Sequence, residues 1–161
     1  MDELPDYHLR RAEHDDAFAL AALLRSIGGF RQIESQSEEQ THAQVARSLE
    51  HSLADESHSV YVAQDASGML VGYVAAHWLP YLILAGPEGF VSELFIDPRV
   101  RGRGLGSGLL ELVVIEAKGR GCSRLQLVNF RSRESYQRGF YSRLGWEERG
   151  DAADFVLSID G

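Results

Sequence analysis

The 161-residue chain has one cysteine, Cys122, and one lysine, Lys118. A lone cysteine excludes an internal disulfide and fits a reducing compartment. Cys122 is expected to fill space rather than to act as a nucleophile. No apolar run approaches about 18 residues, so no membrane span is expected. The amino-terminal stretch Met1-Asp2-Glu3-Leu4-Pro5-Asp6 is acidic and lacks an apolar centre, so it does not read as a secretory signal. By elimination the expected location is the cytoplasm. Positive charge is also scarce. With 16 basic against 24 acidic residues the net charge is −8. A general nucleic-acid binder needs a basic face to neutralise phosphates, so that class is set aside. An acidic surface suits a cationic substrate such as an amine.

What is present is ordinary for a globular domain: 44% apolar and 25% charged residues. The length fits one domain over residues 1–161. Residues 7–11 read as a first strand. Asp15-Asp16 cap a helix to about residue 27, with Phe18, Ala21, Ala22 and Leu23 at helical spacing. Residues 31–40 read as a loop. A second helix spans about 41–53, with Val45, Leu49 and Leu53 on one face. Residues 59–64 and 70–78 pair across the turn-rich Asp65-Ala66-Ser67-Gly68. A loop covers 79–88, a fourth strand 89–97, a third helix 104–118 and a fifth strand 124–129. A helix over 134–144, with Tyr136, Phe140 and Leu144 as its core stripe, and strands at 146–149 and 155–159 complete an α/β chain.

The densest signal lies between the fourth strand and the third helix: Arg101-Gly102-Arg103-Gly104-Leu105-Gly106-Ser107-Gly108. Helix-start N–H groups lack partners inside the helix and favour negative charge. Glycines let backbone approach a phosphate closely, and Arg99 to Arg103 add a positive patch. The dinucleotide pattern G-x-G-x-x-G fails in both registers, at Ser107 and at Leu109. The P-loop fails because Lys118 stands at the wrong end of the helix.

What remains, Arg101-x-x-Gly104-x-Gly106, resembles the acetyl-CoA pyrophosphate loop of the GNAT superfamily of N-acetyltransferases. Glu93-Leu94-Phe95-Ile96-Asp97-Pro98 resembles that family's fourth strand, and Phe140-Tyr141-Ser142-Arg143-Leu144-Gly145-Trp146 its closing segment. The resemblance runs from about residue 7 to 157 and is strongest from 93 to 146. It implies a mixed sheet of six to seven strands, helices on both faces and a V-shaped splay between strands four and five. It also implies acetyl-CoA as co-substrate, with Arg101, Gly102, Arg103, Gly104, Leu105, Gly106 and Ser107 around the pyrophosphate. The pantetheine arm would pair with the backbone of Phe95 and Ile96, one of whose N–H groups would hold the oxyanion.

Acyl transfer from a thioester needs a neutral amine near the carbonyl carbon, an oxyanion donor and a proton for the leaving thiolate. No covalent intermediate and no metal are required. Glu93 is the candidate base, since partial desolvation raises a carboxylate's pKa. Members resembling diamine acetyltransferases carry the key glutamate one position earlier, where this chain has Ser92. Side chains at 92 and 93 point to opposite faces unless a bulge rotates the strand. His77 is a further candidate for the amine proton. Tyr141 resembles the family tyrosine that meets the cofactor sulfur. The cofactor-contacting Asn of the family falls on Glu134, so Asn129 is the expected replacement, with Ser135 offering a hydroxyl. Arg131, Arg133 and Arg138 would meet the 3′-phosphate or pair with Glu134.

The acceptor pocket of the family corresponds here to residues 28–40 and 79–88, so Phe30, Glu34, His77, Tyr81 and Ser92 are candidate substrate contacts. A small amine or polyamine is expected. The apolar set Tyr81 to Leu84 would line that pocket or form a homodimer contact. A CoA-binding sensor without turnover is the alternative from a different class.

Overall fold

The expected hairpin becomes the centre of an antiparallel sheet in the computed structural model, which describes Leu4 and residues 6–159. Most of the acidic stretch at 1–6 therefore lies outside the described residues. Two compact units divide the chain, with the boundary between Val128 and Asn129.

In the first unit, β1 (Tyr7–Arg11), β2 (His58–Asp65), β3 (Leu70–Leu79), β4 (Glu88–Ile96) and β5 (Arg124–Leu127) lie in the order β1-β2-β3-β4-β5. The first four pair antiparallel and β5 joins β4 in parallel. A parallel neighbour needs a crossover, supplied by α4 (Leu105–Gly119). The β4–β5 pairing runs from Glu88↔Arg124 to Val91↔Leu127, and β4 continues five residues further. That unpaired stretch is where the sheet opens.

Side-chain alternation sorts the two faces. Val60 and Val62 of β2, with Tyr73 and Ala75 of β3, pack against α1 (Ala17–Ile27) and α3 (Glu38–Leu53) through Leu20, Leu23 and Leu49. Ser59 and Tyr61 point the other way and bond Glu116 of α4 at 2.9 and 2.7 Å. On α4, Leu105, Leu109, Leu110, Val113 and Ala117 are buried.

Several expectations are corrected. Residues 31–40 are not a loop: α2 (Arg31–Glu34) is a helical turn, and α3 begins at Glu38 rather than near 41. Ser37 caps α3 and Gln40 reaches back to the Ser37 N–H, a capping box that satisfies two orphan donors. On α1 the buried face is Ala17, Leu20, Ala21 and Leu23, whereas Phe18 is 71% exposed against His42. Asp16 bonds Arg10 at 2.7 Å rather than capping α1 with its side chain.

The second unit departs most from expectation. The helix expected over 134–144 is two turns, α5 (Glu134–Gln137) and α6 (Phe140–Arg143), separated by Gly139 at φ 66°. A left-handed residue ends a helix, which dissolves the Tyr136–Phe140–Leu144 stripe; none of the three is buried. Instead the Tyr136 hydroxyl donates to Glu148 at 2.8 Å, and Arg131 pairs with the same carboxylate at 2.6 Å. Segments 146–149 and 155–159 are not strands, so five strands stand among the described residues in place of six to seven. Alternation shows that a segment can line a sheet, but a strand forms only where a second strand meets its N–H and C=O groups.

Candidate active site

Where β3 and β4 meet, the register slips: Ala75 pairs with Glu93, but Ala76 pairs with Val91, leaving Ser92 as the extra residue of a β-bulge. The bulge decides which of Ser92 and Glu93 faces the site, because both do. The Tyr73 hydroxyl donates to Glu93 Oε1 at 3.2 Å, and His77 Nε2 lies 2.6 Å from Ser92 Oγ. Tyr73 and His77 are four residues apart on a regular strand and so share a face. The Glu93 side chain stays open to solvent on one side, yet protein atoms crowd its carboxylate. Desolvation pushes its pKa up, and the Tyr73 hydroxyl pulls it part of the way back. His77 is driven the other way, down, by burial and by the neighbouring His58.

Aromatic rings extend this face. Phe95 meets Tyr73 at 5.9 Å and Phe30 edge-on at 4.9 Å between ring centroids. Phe30 in turn helps line a cavity of about 230 Å³ with Leu24, Arg25, Gly28, Ile33 and Glu34. The candidate substrate contacts Phe30 and Glu34 thus line the same cavity. Glu34 Oε1 already accepts the Gly29 N–H at 2.8 Å, which limits what it offers a ligand. Tyr81 stands in the exposed loop 80–87, where Leu82 and Ile83 are exposed as well.

Past the bulge, β4 leads into the glycine loop. The Asp97 N–H donates to Val71 O at 2.8 Å, which fixes the alternation. Phe95 directs its polar backbone groups at β3, while Leu94 and Ile96 direct theirs at the open edge. Arg101 Nε donates to Ile96 O at 3.3 Å from that side. Of the two residues expected to pair a cofactor arm, Ile96 turns its backbone groups to the open edge, as Leu94 does, whereas Phe95 turns its own towards β3.

The loop itself is shaped by Gly104, which caps α4 at φ 82°. An L side chain there meets left-handed strain of roughly 1–2 kcal/mol. The Gly108 N–H closes the first helical bond onto Gly104 O. The N–H groups of Leu105, Gly106 and Ser107 therefore precede the first intrahelical bond, forming an anion-directed helix start on a 15-residue helix. The arginine patch is narrower than expected. Arg99 is locked on Asp97 at 2.6 Å, which neutralises it, while Arg103 donates to the Tyr7 hydroxyl at 3.2 Å. This cradle, a positive-φ glycine before helix-start N–H groups that precede the first intrahelical bond, with arginines beside it, fits a pyrophosphate.

In the second unit, Ser135 donates to Asn129 Oδ1 at 3.1 Å, so these two candidates meet. Tyr141 packs on Phe140 and Trp146, with ring centroids at 4.9 and 6.1 Å, and burial pushes its hydroxyl pKa up. Arg138 lies over the Phe140 ring.

Two residues on the sheet face were missed in the sequence, Tyr73 and His58. His58 Nδ1 stands 2.8 Å from His77 Nδ1. Tyr73 could have been found from its parity with His77 on one strand. His58 could not, because a second register shift, between Ala63 and Gln64, sets its partner.

A model of the acetyltransferase (GNAT) family matches residues 23–146. Glucosamine 6-phosphate N-acetyltransferase 1 of Oryza sativa subsp. japonica is 31% identical over 94 residues, 57% of this chain and 54% of that protein. The chain spans about half, or less, of the length of such curated relatives. Among solved structures, a transcriptional regulator from Bacillus halodurans C-125 superposes with TM-score 0.80 at 22% identity, covering 94% of this chain and 99% of the other. A Clostridium acetobutylicum acetyltransferase solved with acetyl-CoA gives 0.70 at 19%, covering 94% and 96%. At these identities the likeness shows the fold.

Proposed function

Because the chain belongs to the acetyltransferase (GNAT) family, we propose that it moves an acetyl group from acetyl-CoA to a primary amine by direct attack in a ternary complex. The observation that carries this reading is one strand with two ends: β4 bears Glu93 at its bulge and runs directly into the Gly104 loop. A fold neighbour solved with acetyl-CoA supports the choice of co-substrate.

In this reading the helix-start N–H groups of Leu105, Gly106 and Ser107, with Arg101, Gly102, Arg103 and Gly104, hold the pyrophosphate. The open-edge backbone groups of Leu94 and Ile96 pair with the pantetheine arm, and the Ile96 N–H stabilises the oxyanion. Glu93 takes the amine proton. A new C–N bond forms, the C–S bond breaks, Tyr141 gives its proton to the leaving thiolate, and the second proton that the nitrogen sheds restores the tyrosine hydroxyl. Asn129 and Ser135 form the cofactor contact that the family makes with an Asn.

The acceptor class is a small amine or polyamine, its apolar part against Phe30 and Phe95. A relative named for glucosamine 6-phosphate places an amino sugar phosphate in the same test panel. In the same reading residues 1–161 carry the catalytic function in the cytoplasm, and the set Tyr81 to Leu84, exposed at Leu82 and Ile83, lines the acceptor pocket or makes a homodimer contact. Thermal unfolding tests the cofactor assignment. CoA and acetyl-CoA are expected to raise the melting temperature, whereas NAD and ATP are not; stabilisation by NAD or ATP without CoA overturns the reading.

A further inference from the structure

Three polar side chains that the scheme above leaves unused form a line across three strands. Ser92 stands at the bulge of β4, His77 on β3 and His58 at the first residue of β2. The register sets His58 opposite His77, edge-on with ring centroids 4.9 Å apart and 76° between the planes. Their Nδ1 atoms are 2.8 Å apart, and His77 Nε2 is 2.6 Å from Ser92 Oγ. A bond between two Nδ1 atoms holds one proton, so one ring donates and the other accepts. When that proton sits on His77, its Nε2 is bare and accepts from Ser92; when it sits on His58, the His77 Nε2–H donates to Ser92. Both bonds must switch together. One end, Ser92, is exposed at the bulge beside Glu93, and the other, His58, is half-buried at the start of β2.

We propose that Ser92, His77 and His58 form a proton relay that carries the acceptor's proton from the β4 bulge to solvent at the start of β2. This rests on the acetyl-transfer reading. An ammonium that becomes an amide releases one proton per turnover, and a desolvated Glu93 must return to its carboxylate. Ser92 Oγ takes that proton as its own passes to His77 Nε2. The His77 Nδ1–H passes to His58 Nδ1, and the His58 Nε2–H leaves to water. Both rings are neutral before and after, with tautomers exchanged, and nothing is oxidised or reduced. Neither ring is fully buried, so exchange with water resets them. His77 and His58 act through Ser92 and are positioning residues.

The test uses acetyl-CoA with whichever primary amine of the panel wild type turns over fastest, and the variants His58→Phe and His58→Gln. Both are expected to lose about 100-fold in kcat with little change in KM, the lower end of what a positioned proton-transfer group contributes. Added imidazole restores the rate. Unchanged kcat, or a loss that imidazole restores in neither variant, overturns the relay while leaving the acetyl-transfer reading intact. No turnover by wild type overturns both. Long-range 1H–15N spectra of the unliganded protein give a second readout: complementary Nδ1 protonation of His58 and His77 is expected, and identical tautomers contradict the relay.

Discussion

Ser92 and Glu93 are neighbours in sequence, yet both reach side chains on the same face of β3: Ser92 meets His77 at 2.6 Å and Glu93 meets Tyr73 at 3.2 Å. A regular strand forbids this, because consecutive side chains alternate. The bulge at Ser92 permits it and sets a hydroxyl and a carboxylate side by side on one face of the sheet. The same irregularity coincides with the point beyond which β4 runs on without β5.

Tyr73 tunes Glu93. Burial raises the Glu93 pKa and the Tyr73 hydroxyl lowers it by stabilising the carboxylate. A base works only when deprotonated, so kcat/KM rises with pH through that raised pKa, above the ordinary glutamate value of about 4.3. Tyr73→Phe removes the stabilising donor and is expected to move the rising limb to higher pH. Glu93→Gln is expected to abolish the limb. A limb in Tyr73→Phe at or below the wild-type position contradicts Glu93 as the base.

Gly104 sets the loop. Gly104→Glu places a carboxylate where the pyrophosphate is expected and adds left-handed strain; CoA affinity is expected to fall by about 100-fold or more, which is ~2.7 kcal/mol. Gly104→Ala carries the strain without the charge and is expected to lose less. Calorimetric titration with CoA separates the two, and equal affinity in all three proteins would place the anion elsewhere.

Helices α3 and α4 and the β2–β4 core were legible because they rest on local periodicity: Val45, Leu49 and Leu53 on α3 and the buried face of α4 follow a 3.6-residue repeat. The glycine loop was legible as chemistry at fixed spacing. Registers were not. With the pairing that holds at Gln64↔Leu70, His58 would face Ala76; the shift at Ala63/Gln64 moves it to His77. No residue type announces such a slip. The α3 start could have been read from Ser37 and Gln40, and the break at Gly139 from glycine inside a helical pattern. The strand expected at the tail does not form because Phe155, Val156 and Leu157 are an apolar run that is exposed at every position, with no strand among the described residues to pair with it.

Glu116 ties α4 to the sheet. It accepts from Ser59, Tyr61, Arg11 and Arg120 at 2.6–2.9 Å. Burial raises its pKa, but these donors outweigh burial and leave it lowered, while the Tyr61 hydroxyl is pushed up to about 12 by burial and by Glu116. A lowered folded-state pKa contributes stability above the unfolded pKa of about 4.3 and loses it as pH falls through the folded value. Glu116→Gln is expected to cost about 1.5–3 kcal/mol at pH near 7, and the gap to wild type to shrink on acidification. Urea unfolding at several pH values reads both; a gap that widens towards acid pH contradicts the assignment.

The most direct measurement is thiol release from acetyl-CoA over a panel of primary amines, polyamines and amino sugar phosphates, run beside Glu93→Gln. Release that depends on at least one amine is expected, with the acetyl group recovered on that amine, and a loss of about 100-fold or more in the variant. Melting-temperature stabilisation by acetyl-CoA without amine-dependent release would contradict it and identify a CoA-binding sensor instead.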